Sequence, residues 1–126
     1  MSKIADKLNV ELMNLADYSR KDVIRYLLNN YRRLERWANM GDSIALDILI
    51  DLKTCLKHED LDEKMRYILI DFYLDQHTLE EVGQKHNITR QGVKYWVDGG
   101  IDRIYKLLNG KSENKLYGGD NNNNIS

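Results

Sequence analysis

Proline is absent from the 126 residues, cysteine and phenylalanine occur once each, and no stretch is both long and apolar. Each shortage excludes something. Without proline, no helix loses a backbone donor in its interior. A lone cysteine, Cys55, cannot close an internal disulfide and fits a reducing compartment. The absence of a long apolar run argues against a membrane span. The first residues lack the apolar core of a secretory signal. The expected location is therefore the cytoplasm, with no membrane association. A large charge of either sign is lacking too, since the formal net charge is −1. The length suits one domain with a tail.

Patterns for catalysis and metal binding are equally sparse. Cys55 and His58 are three apart and resemble half a zinc site, but no second cysteine completes it. Glu80 and Glu81 fit the first turn of a helix, where capping and the helix dipole account for paired acids. Gly99-Gly100 lacks the flanking strand and helix of a phosphate loop. No Ser-His-Asp or Cys-His arrangement is readable. The chain is therefore expected to be neither an enzyme nor a holder of metal or cofactor.

What is present is charge sorted by position. Residues 20–36 carry six cations against two acids, a net +4. Residues 42–63 carry seven acids against two lysines, a net −5. Residues 87–111 carry five cations against two acids, a net +3. Distribution of charge matters more than its total for a nucleic-acid partner.

The last of these segments overlaps the most informative stretch, residues 78–97. Thr78 and Glu81 form a capping box, and Leu79 and Val82 share one face of the helix that follows. Gly83 lies mid-helix, where glycine costs about 1 kcal/mol relative to alanine, so close approach of a second helix is expected there. Asn87 suits the left-handed conformation that ends a helix. Thr89 can cap a second helix whose apolar face begins with Val93, Trp96 and Val97. Two helices joined by so tight a corner have helix-turn-helix geometry. Its second helix can enter the DNA major groove by its first turns, here Arg90, Gln91, Lys94 and Tyr95. Arg can pair bidentately with guanine and Gln with adenine. Thr89, Lys85 and Arg103 are the candidates for phosphate contact. A corner that merely packs is the plainer alternative.

Elsewhere the apolar periodicity predicts helices over 3–16, 20–39, 43–57 and 63–75. Their caps are read as Ser19 for the second, Asp42 or Ser43 for the third and Asp62 for the fourth. Gly41 suits the end of the second. The helix starting at Thr89 is expected to reach Asn109, with Gly99-Gly100 kinking or splitting it and Gly110 ending it. Arg25, Arg32, Arg33 and Arg36 line the polar face of the second helix, as a solvated face or as phosphate contacts. The expected fold is all-α with about six helices. Residues 1–60 form a helical platform, 61–110 the helix-turn-helix unit, and 111–126 a disordered polar tail.

Three strings carry a family likeness. Leu61-Asp-Glu-Lys-Met-Arg-Tyr-Ile-Leu69, Phe72-Tyr-Leu-Asp-Gln-His-Thr-Leu-Glu-Glu-Val-Gly83 and Ile88-Thr-Arg-Gln-Gly-Val-Lys94 resemble region four of bacterial sigma factors. The likeness covers residues 61–108. The whole chain is similar to small late-gene regulators of phages and prophages, of the ArpU and RinA kind. That resemblance implies a sequence-specific DNA-binding transcription regulator that recruits or redirects bacterial RNA polymerase. By it, Arg90, Gln91 and Lys94 fall where the family contacts bases and nearby phosphates, and Thr89 where it contacts the backbone. Gly92 and Tyr95 depart from the family pattern. The partners expected are double-stranded DNA and RNA polymerase, with residues 3–57 as a platform for a polymerase contact or for a homodimer. Two rivals stand beside this. One is a small terminase or packaging subunit that binds DNA as a ring. The other is a protein-interaction module that meets polymerase or a sigma factor without touching DNA, which the acidic block at 42–63 motivates.

Overall fold

A computed structural model describes residues 17–117, with side chains as far as Gly110. All regular structure among them is helical: α1 (Lys21–Asn29), α2 (Tyr31–Asn39), α3 (Ser43–Leu56), α4 (Glu63–Leu69), a π turn (Ile70–Leu74), α5 (Leu79–His86) and α6 (Arg90–Tyr117). The expected all-α class is observed. The helix expected over 3–16 lies outside the described residues. No helix among the described residues is long and apolar enough to cross a membrane.

One core joins these helices. Ile24, Leu27 and Leu28 of α1, Leu34 of α2, Ile48 and Leu52 of α3, Ile68 and Leu69 of α4 and Ile101 and Ile104 of α6 are all buried. Each such side chain contributes about 1.5–3 kcal/mol through removal from water. α1 lies against α6, and two ion pairs flank that seam: Lys21 with Asp102 at 2.8 Å and Arg25 with Asp98 at 3.1 Å. α2 folds back on α3 through the Met40–Asp42 corner. Gly41 takes φ +97° there, a conformation that glycine adopts without steric cost.

The segment 20–39 is two helices rather than one. Asn30 leaves helical geometry at φ −109°, ψ 23°. Its side-chain amide donates to the Tyr26 carbonyl at 2.8 Å. Asparagine competes for backbone partners in this way, which makes it a poor interior residue. The break lets α1 pack on α6 while α2 packs on α3. Ser19 does not cap α1; its hydroxyl and amide turn back to Asp17, and Arg20 stands at the cap. Asp62 stands before α4 without a capping bond. Asp42 does cap α3, accepting from the Ala45 amide at 2.9 Å.

α6 passes through Gly99-Gly100 without a break and continues beyond Gly110 to Tyr117. Neither the expected split nor the expected end occurs, and residues 111–117 of the expected tail are helical. Residues 118–126 lie outside the described residues. The glycine pair has a packing cause. A Cβ on Gly100 would come within 2.7 Å of Leu69, and one on Gly99 within 3.3 Å of Met65. The missing side chains admit α4 against α6. Nothing lies within 4 Å of the corresponding position on Gly110. Gly110→Ala is therefore expected to stabilise the protein by about 0.5–1 kcal/mol, by helix propensity alone. A raised thermal midpoint followed by circular dichroism checks this. A lowered one would mean that α6 does not continue through that position.

Candidate nucleic-acid interface

The corner between α5 and α6 is built by local sequence. Thr78 and Glu81 close the capping box: the Glu81 amide donates to Thr78 Oγ1 at 3.1 Å, and the Thr78 amide to Glu81 Oε1 at 2.8 Å. The second of these bonds, from the Thr78 amide, also holds the Glu81 carboxyl below its ordinary value. Asn87 ends α5 in the left-handed conformation, at φ 59°, ψ 46°. The chain then turns under α5, and the Ile88 amide donates to the Gly83 carbonyl at 2.8 Å. A Cβ on Gly83 would lie 2.7 Å from the Ile88 carbonyl oxygen. Only glycine admits the crossing backbone. Thr89 caps α6, accepting from the Gly92 amide at 3.0 Å. Gly92 is explained by the same cap, because a Cβ there would crowd Thr89 Oγ1 at 3.3 Å and Ile88 at 3.4 Å.

Val82, Val93 and Val97 bury the inner faces of the two helices, and Ile88 and Trp96 pack beside them. That fixes what α6 turns outward. Arg90, Gln91, Lys94 and Tyr95 are all exposed, Tyr95 at 77%. Their one-, three- and four-residue spacings place them on one side of the first two turns. Among the described residues, neither Arg90 nor Lys94 is in an ion pair. An open groove along the corner is lined by Glu80, Gln84, Asn87, Thr89 and Arg90. Glu80 adds a carboxylate at its α5 edge, so an anionic ligand is favoured toward Arg90 and Lys94.

The structure does not bring Lys85 and Arg103 to this side. Lys85 Nζ lies 3.0 Å from the carboxylate of Asp71, which is buried. Arg103 donates to the Asp60 carbonyl at 2.8 Å. It follows Lys94 by nine residues, about two and a half turns, which places it on the opposite side of α6. The arginine face of α1 and α2 is also partly engaged within the fold. Arg25 pairs with Asp98, and Arg32 with Glu35 and Asp75. Arg33 stacks over Trp37.

Asp71 is the residue that sequence reasoning missed. It sits in the π turn, where Asp75 bonds back to Ile70 across five residues. The wider coil carries Asp71 inside and leaves Phe72 only half-buried. Asp71 meets the last turn of α5: His86 Nε2 lies 2.6 Å from its carboxylate, opposite Lys85. Burial alone would push the carboxyl up, but the bonds from His86 and Lys85 outweigh it and hold it below its ordinary value. A lone acid between apolar neighbours, fourteen and fifteen residues before Lys85-His86, was the signal available. Among the described residues, no group of three His, Cys, Asp or Glu side chains is placed to hold a metal ion.

No family model, curated protein or solved structure matches this chain. What the corner can do follows from its own geometry. It offers two free cations, an amide and a phenol, carried by the capped start of a helix that the core holds rigidly.

Proposed function

We propose that the chain is a sequence-specific DNA-binding transcription regulator, with α5 and α6 as a helix-turn-helix unit. The observation that carries this is the crossing at Gly83, which seats α5 over the start of α6 and leaves Arg90, Gln91, Lys94 and Tyr95 facing outward. α6 enters the major groove by these turns. Arg90 and Gln91 read base edges, Lys94 and the Thr89 end of the helix meet phosphate, and Tyr95 lies beside them. Lys85 and Arg103 have no part in the first encounter, since both have partners within the fold. The likeness to sigma region four extends the proposal to recruitment of bacterial RNA polymerase at phage or prophage promoters.

Binding to fluorescent DNA from the gene's own neighbourhood, with random competitor and over a salt series, tests it. Specific binding that weakens steeply with salt is the expected result. Absence of binding at low salt would overturn it in favour of a protein-interaction module, for which a polymerase pull-down is the next assay.

Two substitutions separate the roles. Lys94→Ala is expected to weaken binding to every sequence and to lower the salt slope by about one. Arg90→Ala is expected to cost about 1–3 kcal/mol on the specific site and to relax the preference for it. Equal losses on specific and random DNA would remove Arg90 from base reading.

A further inference from the structure

α6 carries charges in a row four residues apart: Arg90, Lys94, Asp98 and Asp102. Residues so spaced lie one above the other on a helix, with Cβ atoms about 5–6 Å apart. Asp98 therefore stands within reach of Lys94, the cation assigned to phosphate. Lysine and aspartate at this spacing can pair on an exposed helix. That pair does not form here. Asp98 turns instead to α1, where Arg25 Nη1 lies 3.1 Å from its carboxylate. Asp102 is drawn off in the same way by Lys21, at 2.8 Å. The Arg25 guanidinium also meets the hydroxyl of Tyr73, which is buried, so a second anchor holds it beside α6. Lys94 stays exposed.

We propose that Arg25 is a positioning residue of the DNA interface: by holding Asp98 it keeps Lys94 open to phosphate. The inference rests on the DNA-binding reading and adds α1 to that site. Asp98 follows Arg90 by about 12 Å along the helix axis, and the major groove is about 8.5 Å deep. Asp98 thus stands near the lip of the groove, where the phosphates run. Its side chain is 60% exposed, which leaves it free to change partner. Released from Arg25, the carboxylate would occupy Lys94 and repel phosphate. Paired with Arg25, it does neither. The row itself shows the size of the correction. Arg90 and Lys94 against Asp98 and Asp102 sum to zero, and Lys21 and Arg25 restore +2. α1 spans Lys21–Asn29, so the correction comes from outside the helix-turn-helix unit.

Affinity and salt slope of the full chain on one DNA fragment test this. Arg25→Ala is expected to weaken binding about fivefold and to lower the salt slope by about one, as loss of Lys94 does. In the Arg25→Ala background, Lys94→Ala is expected to cost less than about twofold more, because Lys94 is already occupied. Arg25→Ala with Asp98→Asn is expected to return both quantities to native values, since no acid remains to take Lys94. Lys21→Ala removes the same charge from the same helix. Its acid, Asp102, lies about 12 Å from Lys94 along α6 and cannot reach it. Binding by Lys21→Ala is expected to stay within about twofold of native. A double variant as weak as Arg25→Ala would make Arg25 a phosphate contact in its own right. Equal losses in Arg25→Ala and Lys21→Ala would make the effect one of net charge. Either result, or native affinity in Arg25→Ala, overturns the proposal. The double variant also lacks Arg25 and its Tyr73 contact, so Asp98→Asn does not rescue a packing defect. Thermal melts of each variant fix a temperature at which all are folded. No binding by the native chain at low salt would overturn the DNA-binding reading and this inference together. Native binding with any of the three contrary results overturns this inference alone.

Discussion

Gly83→Val is expected to lower the free energy of unfolding by about 3 kcal/mol and to remove DNA binding under conditions where the native chain binds. In an ordinary helix interior, replacing glycine by a larger residue gains stability, by about 1 kcal/mol for alanine. Here the sign reverses. The new Cβ would stand 2.7 Å from the Ile88 carbonyl oxygen and 3.6 Å from both the Thr89 carbonyl carbon and the Val93 side chain. The nearest of these is backbone, so no rotamer change relieves it. Relief requires α5 to move away from the start of α6, which uncovers Val82 and Val93 and turns Arg90 and Lys94 from their present side. Gly83→Ala carries only the Cβ and is expected to lose about 1–2 kcal/mol. Urea unfolding separates the cases: the midpoint falls while the slope is unchanged. A stabilising Gly83→Ala, matching the gain expected at Gly110, would show that the two helices do not approach there.

The parts of this molecule legible in the sequence are those whose causes lie within a few residues. The Thr78–Glu81 box, the left-handed Asn87, the Thr89 cap and the Gly41 corner each follow from one turn of chain. The apolar stripes of α2, α3 and α6 were readable for the same reason. What escaped depends on distant partners. Gly99-Gly100 reads as a break until Leu69 and Met65 of α4 are found against it. Lys85 and Arg103 read as free cations until Asp71 and the Asp60 carbonyl engage them. The basic surface of α1 likewise shrinks once Lys21 and Arg25 meet Asp102 and Asp98. Gln76 stands at φ 59°, held by its side-chain amide, which donates to the Tyr73 carbonyl at 2.6 Å. No local pattern marks a glutamine for that conformation. In the candidate site, the four outward residues of α6 were legible because burial of Val93 and Val97 fixes the helix's rotation.

Asp71→Ala is expected to destabilise the protein by about 2–4 kcal/mol at neutral pH. The loss is unequal between the partners. Lys85 is 57% exposed in its side chain and returns to water at little cost, as surface pairs do. His86 is only 15% exposed, so its ring loses the 2.6 Å bond with little water to replace it. The pH dependence identifies the carboxylate as the source. The folded state holds the Asp71 carboxyl below the ordinary 3.8. Between that lowered value and 3.8 the unfolded chain binds more protons, so stability rises with pH there. The contribution is complete above 3.8 and is lost as pH falls through the folded value. The gap between native and Asp71→Ala stabilities should therefore narrow as pH falls through the acid range. Asp17, Asp22 and Glu81 are also held low, but they are exposed and common to both proteins. They cancel in the difference. Urea midpoints of the two proteins from about pH 7 to about pH 2 measure it, and a gap that does not narrow would place the loss in packing. His86 directly precedes Asn87, so the same carboxylate anchors the end of α5 from which the corner starts. Weakened DNA binding by Asp71→Ala, at temperatures where the protein is still folded, is the matching functional result.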